Sequence, residues 1–428
     1  MFMRILSLLG CALLLSVSWM AVLNLESREE KQLKLISQAE EEAKNGTYVN
    51  AVSYLLEAVD INAEHTFDAL EALKEVYLVL GETPKYVKLL KEQITYDDCP
   101  AQVYIDYAKY YLEHNKPSDA ISLLKTGIEL TNDDVLIALY EKERYAFKIN
   151  RGIYDEMTAF HNGGIQVRRG DLWGIANSTG ELVIPCAYTQ IGTFDRYSSS
   201  IVAIRDDGKV VALNTENQAV AVYEKPVTQL GNLSQDIIAL QLEDNKWIIA
   251  NGRLIAGETQ YDAVGTAHNS AIALKRENKW GVMSLSGEKI LPYDYDEIII
   301  DELGRCYAQG AVFAKKDGKA YLFANGAFLE DGYEDARPFN DTGWAAVKKN
   351  GKWGFIDTTG AFMLEPQFEE ALSFSGHLAA VKQGEHWGYI GLEGNFAIQP
   401  EFMQAKSFQD SNAPVLTEIG WQIISLFE

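Results

Sequence analysis

The stretch Ala346-Val347-Lys348-Lys349-Asn350-Gly351-Lys352-Trp353-Gly354-Phe355-Ile356-Asp357 decides the fold. Its first four residues alternate as a half-buried strand does. Asn350-Gly351 is a strong hairpin turn, because both residues tolerate positive φ. Lys352 to Asp357 supplies a second strand. Thr359-Gly360 then turns the chain into a third, which is expected to stop at Pro366, where a ladder donor is missing.

The same pattern recurs along the chain. Trp353-Gly354, Trp387-Gly388 and Trp421-Gln422 stand at identical intervals, and Trp280-Gly281, Trp247-Ile248 and Trp173-Gly174 extend the series upstream. Gly208-Lys209-Val210 and Gly318-Lys319-Ala320 fill the same slot without Trp, so the series has eight units at near-regular spacing. In four units an aromatic follows the Trp at one fixed interval: Trp173 to Tyr188, Trp280 to Tyr295, Trp353 to Phe368 and Trp387 to Phe402. A proline precedes each aromatic: Pro185, Pro292, Pro366 and Pro400. A second aromatic keeps its own fixed distance from the Trp, at Phe194, Phe374 and Phe408. Tyr333 and Phe339 of the fifth unit are displaced together by two residues, as a short loop deletion would do. Ala346-Val347-Lys348, Ala380-Val381-Lys382 and Ala273-Leu274-Lys275 repeat the first strand.

This pattern resembles the WG-repeat family of bacterial proteins over residues 163–428. Units two, three and five depart from it by losing Trp, Gly or both, and the last unit lacks a strand at its end. Three-stranded antiparallel units in series imply a propeller-like ring, with an open β-solenoid as the alternative. A Trp at fixed period is read as seam packing, and the Gly after it as a site of close backbone approach. Trp344, off the repeat slot within the array, is a candidate exposed platform, with a loop position as the plainer reading.

Residues 27–150 have a different rhythm. Apolar residues recur at helical spacing (Leu33, Ile36, Ala39, Ala43), broken by joints at Asn45-Gly46-Thr47, Gly81-Glu82-Thr83-Pro84 and Asn115-Lys116-Pro117-Ser118. Large and small slots at Tyr104, Tyr107, Ala108, Tyr111, Ala120 and Leu124, with Gly127 where Ala is usual, resemble degenerate tetratricopeptide repeats. Ala39, Ala51, Leu55 and Ala58 fit the first unit. Such hairpins imply a groove for a peptide or partner protein, or else a spacer. Tyr104, Tyr107, Tyr110 and Tyr111 are read as helix packing in preference to groove lining. Residues 151–162 are expected to be a linker before the β domain at 163–428.

Residues 5–25 are almost wholly apolar and carry no charge, long enough for a bilayer-spanning helix. Arg4 precedes the run and acidic residues follow, so the expectation is a transmembrane signal anchor, with residues 1–4 cytoplasmic and the bulk of the chain outside the cell membrane. The alternatives are a secreted chain, or a lipid anchor at Cys11 in Leu8-Leu9-Gly10-Cys11.

The chain has 428 residues and a net charge of −23, from 61 acidic and 38 basic residues, with no basic run. That balance opposes non-specific nucleic-acid binding. Cys11, Cys99, Cys186 and Cys306 are scattered, which suggests neither a zinc site nor a disulfide framework. No phosphate-binding loop, dinucleotide fingerprint, nucleophile elbow or HExxH motif occurs. Of His65, His114, His161, His268, His377 and His386, only the last two are close in sequence. Asp206-Asp207-Gly208 and Lys316-Asp317-Gly318 are read as hairpin turns, and Asp294 and Asp296 as solvated carboxylates. No catalytic, cofactor or metal residue is assigned. The expectation is a non-catalytic, membrane-anchored interaction scaffold, binding a partner protein through both repeat regions. A cell-wall or glycan-binding module is the first alternative, and an enzyme on a β-repeat scaffold the second.

Overall fold

The computed structural model describes residues 27–96, 98–340 and 342–427, and the chain divides after Tyr140 into two compact units. The first holds helices α1 (Arg28–Lys44), α2 (Tyr48–Ile61), α3 (Thr66–Val79), α4 (Thr83–Gln93), α5 (Ala101–Glu113) and α6 (Pro117–Thr131). A last helix, α7 (Asp134–Glu143), spans the division. Ser27 caps α1, accepting from the Glu30 amide at 3.1 Å while Glu30 accepts from the Ser27 amide at 2.9 Å. Asn62 and Asn132 close α2 and α6 in the left-handed region that asparagine tolerates. Ala39, Ala51, Ala58, Ala108 and Ala120 are buried where helices approach one another. At Gly127 a Cβ would fall 2.8 Å from the Tyr104 ring, so this slot holds glycine because a tyrosine faces it.

The second unit is an eight-bladed β-propeller in which every blade is a four-stranded antiparallel sheet. In chain order, blade 1 is β2 (Glu156–His161), β3 (Gly164–Arg169), β4 (Leu172–Ala176) and β5 (Leu182–Tyr188). Blade 2 is β6 (Gln190–Ile191), β7 (Ile201–Ile204), β8 (Val210–Leu213) and β9 (Ala219–Tyr223). Blade 3 is β10 (Val227–Leu230), β11 (Ile237–Leu242), β12 (Trp247–Asn251) and β13 (Ala256–Tyr261). Blade 4 is β14 (Ala263–Val264), β15 (Ala271–Arg276), β16 (Lys279–Ser284) and β17 (Lys289–Tyr295). Blade 5 is β18 (Glu297–Ile298), β19 (Ala311–Lys316), β20 (Lys319–Ala324) and β21 (Ala327–Tyr333). Blade 6 is β22 (Asp335–Ala336), β23 (Ala345–Lys349), β24 (Lys352–Ile356) and β25 (Phe362–Phe368). Blade 7 is β26 (Glu370–Ala371), β27 (Ala379–Gln383), β28 (His386–Ile390) and β29 (Phe396–Phe402). Blade 8 is β30 (Gln404–Ala405), β31 (Asn412–Thr417), β32 (Gly420–Leu426) and, from the start of the unit, β1 (Phe147–Ile149).

β1 supplies the strand missing from the last repeat. Phe147, Lys148 and Ile149 pair with Leu426, Ser425 and Ile424, and the Phe147 ring lies 5.9 Å from Phe402. A propeller closed by both ends of its chain has no open terminal blade to fray. The apolar core is divided among the seams. Each of eight buried clusters joins two neighbouring blades, and one of them joins Trp421 and Ile423 of blade 8 to Met157 and Val167 of blade 1. That seam closes a ring and excludes the open solenoid.

The recurrent spacings now have causes. The aromatic at the fixed interval after each Trp is its cross-strand partner: Tyr188 for Trp173, Tyr295 for Trp280, Phe368 for Trp353 and Phe402 for Trp387. Between them the ladder slips. In blade 6 the partners pass from Trp353↔Phe368 to Phe355↔Leu364, and Pro366 sits in the resulting bulge. The bulge presses on the glycine opposite. A Cβ on Gly354 would lie 2.7 Å from both Leu364 O and Pro366 N, and one on Gly388 would lie 2.6 Å from Ile398 O. Gly and Pro are thus two halves of one contact.

Four sequence expectations are corrected. Proline does not end the third strand of a unit: β25 runs on to Phe368, because an outermost strand needs no donor on its free side. Blades have four strands instead of three, since the residues after each cross-strand aromatic open the next blade. The helices do not reach residue 150 nor does a linker fill 151–162, because β1 and β2 lie there, drawn into the sheet by β32 and β3. The fold expected to include a transmembrane helix is not supported: among the described residues no helix is long and apolar enough to cross a membrane, and residues 5–25 lie outside them.

Candidate functional site: the central cavity of the propeller

The first strand of most blades is only two residues long and leads into a connection facing the ring centre. After β26 and β30 these connections run over residues 372–378 and 406–411, whereas after β18 the connection runs from 299 to 310. This insertion accounts for the long spacing from Trp280 to Ala320, and it folds across the channel. Asp301 shapes it, accepting from the amides of Leu303 (3.0 Å) and Arg305 (2.8 Å) and from Arg305 Nε (2.7 Å), while Gly304 takes a positive φ. Leu303 is buried, and its carbonyl accepts from Thr266 Oγ1 at 2.5 Å and from Asn232 Nδ2 at 3.0 Å. Asn232 Oδ1 in turn accepts from Gln166 Nε2 at 3.2 Å, so one hydrogen-bonded line joins blades 1, 3, 4 and 5. On the other side Lys406 of blade 8 pairs with Glu302. Burial raises the Glu302 pKa against the lowering effect of Lys406.

Beside this plug lies a cavity of about 850 Å3. Its charged lining is Asp301, Glu302, Arg305, Arg337, Lys382 and Lys406, four cations to two carboxylates, the reverse of the chain as a whole. Arg305 and Lys406 are paired with Asp301 and Glu302. Arg337 reaches Asp335 at 3.3 Å and Glu370 at 3.8 Å and lies 4.5 Å over the Trp353 ring. Glu370 is the cross-strand neighbour of Lys382, yet among the described residues Lys382 has no ion-pair or hydrogen-bond partner. A half-buried ammonium therefore faces the cavity beside Trp387, its register partner on the other side. Trp421 and Phe408 add apolar wall, and Gln409 Oε1 is a buried acceptor without a partner among the described residues.

Two histidines far apart in sequence meet the same electrostatic field. His161, 8% exposed and with no partner for Nε2 among the described residues, has its pKa lowered to about 4, by burial first and then by Arg305 and His268. His268, on the cavity wall, is lowered by burial and by Arg305. Sequence reasoning missed this group, because the blades that bring it together are distant along the chain; the long interval from Trp280 to Ala320 was the one available signal.

The residues singled out from sequence mostly take packing roles. Trp344 packs edge-on against Phe374 at 5.2 Å. Tyr104 and Tyr107 are buried, and Tyr111 stacks on Tyr107 at 4.5 Å and donates to its hydroxyl. Asp207 and Asp317 lie in hairpin turns closed by Gly208 and Gly318. Asp294 and Asp296 have pKa values held below the carboxylate range by Lys316 and Lys279, at 2.8 and 2.7 Å. His377 sits at positive φ in a turn, and His386 is exposed at the start of β28. Cys99, Cys186 and Cys306 are free thiols. Among the described residues no group of three or more His, Cys, Asp or Glu side chains is placed to hold a metal ion.

A ring of four-stranded blades with a plugged centre defines a repeat propeller. The family model described as WG containing repeat matches residues 173–209, 332–353, 353–385 and 387–418. The chain thus carries WG repeats over those four segments. Each match beginning at a Trp starts on the third strand of one blade and runs into the next, so the sequence repeat is offset from the blade. Among solved structures, the computationally designed Ika8 protein is similar at 14% identity, covering 65% of this chain and 98% of its own, with a TM-score of 0.45. BamB from Moraxella catarrhalis is similar at 11% identity, covering 66% and 100%, with a TM-score of 0.44. The Dos1 propeller is similar at 10% identity, covering 65% and 95%, with a TM-score of 0.42. No curated protein matches the chain.

Proposed function

We propose that this protein is a non-catalytic interaction scaffold whose propeller captures an acidic segment of a partner protein at the central cavity. The observation that supports it is the Lys382 ammonium, which faces a cavity of about 850 Å3 with no carboxylate partner among the described residues, beside the Trp387 ring. A carboxylate entering there meets a cation whose desolvation is already partly met, and the ring offers apolar contact to the chain that carries it. The test is site-specific photocrosslinking in cells from Gln404 on the cavity wall, with exposed Lys148 on the outer strand β1 as the control position. One partner captured from position 404 and lost in a Lys382→Glu background supports the reading. Equal capture from both positions, or capture indifferent to Lys382→Glu, refutes it.

A glycan ligand is the second reading, favoured by Trp387 and Trp421 standing on the cavity wall with the amides of Asn340 and Gln404. It predicts cosedimentation with purified wall material that Trp387→Ala abolishes.

A further inference from the structure

The insertion 299–310 carries a carboxylate of its own into the central cavity. Two ammonium groups line that cavity from neighbouring blades, each set against a tryptophan. Lys382 of blade 7 stands beside Trp387, and Lys406 of blade 8 lies 5.3 Å over the Trp421 ring. Lys382 has no ion-pair partner among the described residues, whereas Lys406 is held by Glu302, which arrives from blade 5. The other two cations of the lining are served nearer home: Arg305 is paired with Asp301 of its own loop, and Arg337 with Asp335 and Glu370. Glu302–Lys406 is thus the one ion pair, among the described residues, by which the insertion reaches another blade. The path of the loop does not depend on it. Leu303 and Gly304 are fixed to blades 3 and 4 by neutral hydrogen bonds, the Gly304 carbonyl accepting from the Thr266 amide at 2.7 Å. The Glu302 side chain, 34% exposed, can therefore turn away from Lys406 while the loop stays in place.

We propose that Glu302 is an autoinhibitory stand-in for the ligand, occupying Lys406 until a segment bearing two carboxylates displaces it, one pairing with Lys382 and the other with Lys406. This rests on the capture of an acidic segment at the cavity, and adds that the segment is diacidic and that the protein supplies its own competitor. The exchange at Lys406 replaces one carboxylate by another, and Glu302 regains the water that burial withholds. Burial raises the Glu302 pKa despite Lys406, so its ionised form is poorly compensated where it stands. Glu302 then keeps its proton to higher pH than a hydrated carboxylate, and the competing form is lost as pH falls through that raised value. A hydrated ligand carboxylate stays ionised down to about 4.3, so capture is strongest between the two values. The other groups around Glu302 do not oppose this. Asp301 is held by Arg305, Tyr389 of blade 7 donates to the Lys406 carbonyl at 2.9 Å, and Arg337 and Lys382 are cations throughout. His268 and His161 of blades 4 and 1, the latter also in the field of Asp195, add positive charge when they protonate.

The test uses the full-length chain and a rhodamine-labelled hexaglutamate peptide, with binding read by fluorescence anisotropy. At pH 7.5 Glu302→Gln should bind the peptide about tenfold more tightly than the unsubstituted chain, and Lys406→Met added to it should return the affinity to the unsubstituted value or below. From pH 7.5 to 5.5 the unsubstituted chain should tighten more than Glu302→Gln does. A peptide with one glutamate among glycines and serines should gain no more than about twofold from Glu302→Gln, since Lys382 already serves it. Glu302→Ala is the second variant, and circular dichroism melts check that both fold. Amine acetylation read by mass spectrometry needs no ligand: Lys406 should label faster in Glu302→Gln, with Lys382 unchanged. Hexaglutamate affinity indifferent to Glu302→Gln, an equal gain for the one-glutamate peptide, or unchanged Lys406 labelling overturns the proposal and leaves the capture reading standing. Binding by neither chain, with Lys406 labelling still faster in the variant, overturns the capture reading and the proposal together.

Discussion

Replacing Gly354 with alanine tests why the repeat pairs Trp-Gly with a later proline. The added Cβ would lie 2.7 Å from Leu364 O and Pro366 N and 2.9 Å from Glu365 C, all backbone atoms of β25. Backbone cannot rotate away as a side chain does, so the outer strand must be pushed off its blade. Overpacking of this kind costs about 1–3 kcal/mol, and losing the ladder bonds of the displaced strand adds about 1 kcal/mol. The expected loss is about 3 kcal/mol, which lowers the melting temperature of a unit this large by roughly 6 °C. The assay is urea unfolding followed by tryptophan fluorescence, with thermal melts in parallel. Two comparisons sharpen it. Gly281→Ala, where the nearest backbone atom is 2.9 Å away, should cost less than Gly174→Ala, where it is 2.5 Å away. Gly351→Ala has open space and only a positive φ of 75° to overcome, so it should cost about 1 kcal/mol. If Gly354→Ala is no worse than Gly351→Ala, the contact with the bulge is not what selects glycine.

Trp353, 1% exposed, should cost about 3–5 kcal/mol when cut to alanine; Trp353→Phe should cost about 1 kcal/mol, since it also removes a buried Nε1–H that has no partner among the described residues. Unchanged melting of Trp353→Ala would end the packing assignment. His161 binds its proton more weakly folded, at about 4, than unfolded, at 6.5, so the unfolded chain takes up more protons between those values. Stability present above pH 6.5 is lost as pH falls toward 4, by up to about 3 kcal/mol. Melts from pH 7.5 to 4.5 should show that loss reduced in His161→Phe; parallel curves would refute it. A chain starting at Glu141 should melt cooperatively, whereas one starting at Gly163 lacks β1 and β2 and should not; circular dichroism distinguishes them, and equal cooperativity would deny β1 its closing role.

Local chemistry was legible in the sequence wherever it acts over one or two strands. Asn350-Gly351 dictates a hairpin by its φ preferences, and Trp353 and Phe368 repeat at a fixed distance because they are cross-strand partners. Helical hairpins at Ala51, Leu55, Ala108 and Leu124 were visible because small and large residues at turn spacing have one use. Eight Trp slots likewise counted eight blades.

Other features depend on contacts between residues from different blades, tens to hundreds of positions apart, for which periodicity carries no signal. Phe147-Lys148-Ile149 is three residues of unremarkable alternation, and only pairing with Leu426, Ser425 and Ile424 makes it the closing strand. The 299–310 insertion showed as one long spacing, but its path across the channel is set by Thr266, Asn232 and Lys406, from three other blades. The cavity beside it follows from that path. A repeat sequence specifies its unit and the seam to the next unit, because those contacts are local; the centre of a ring belongs to all the units at once, and its chemistry exists only after the ring has closed.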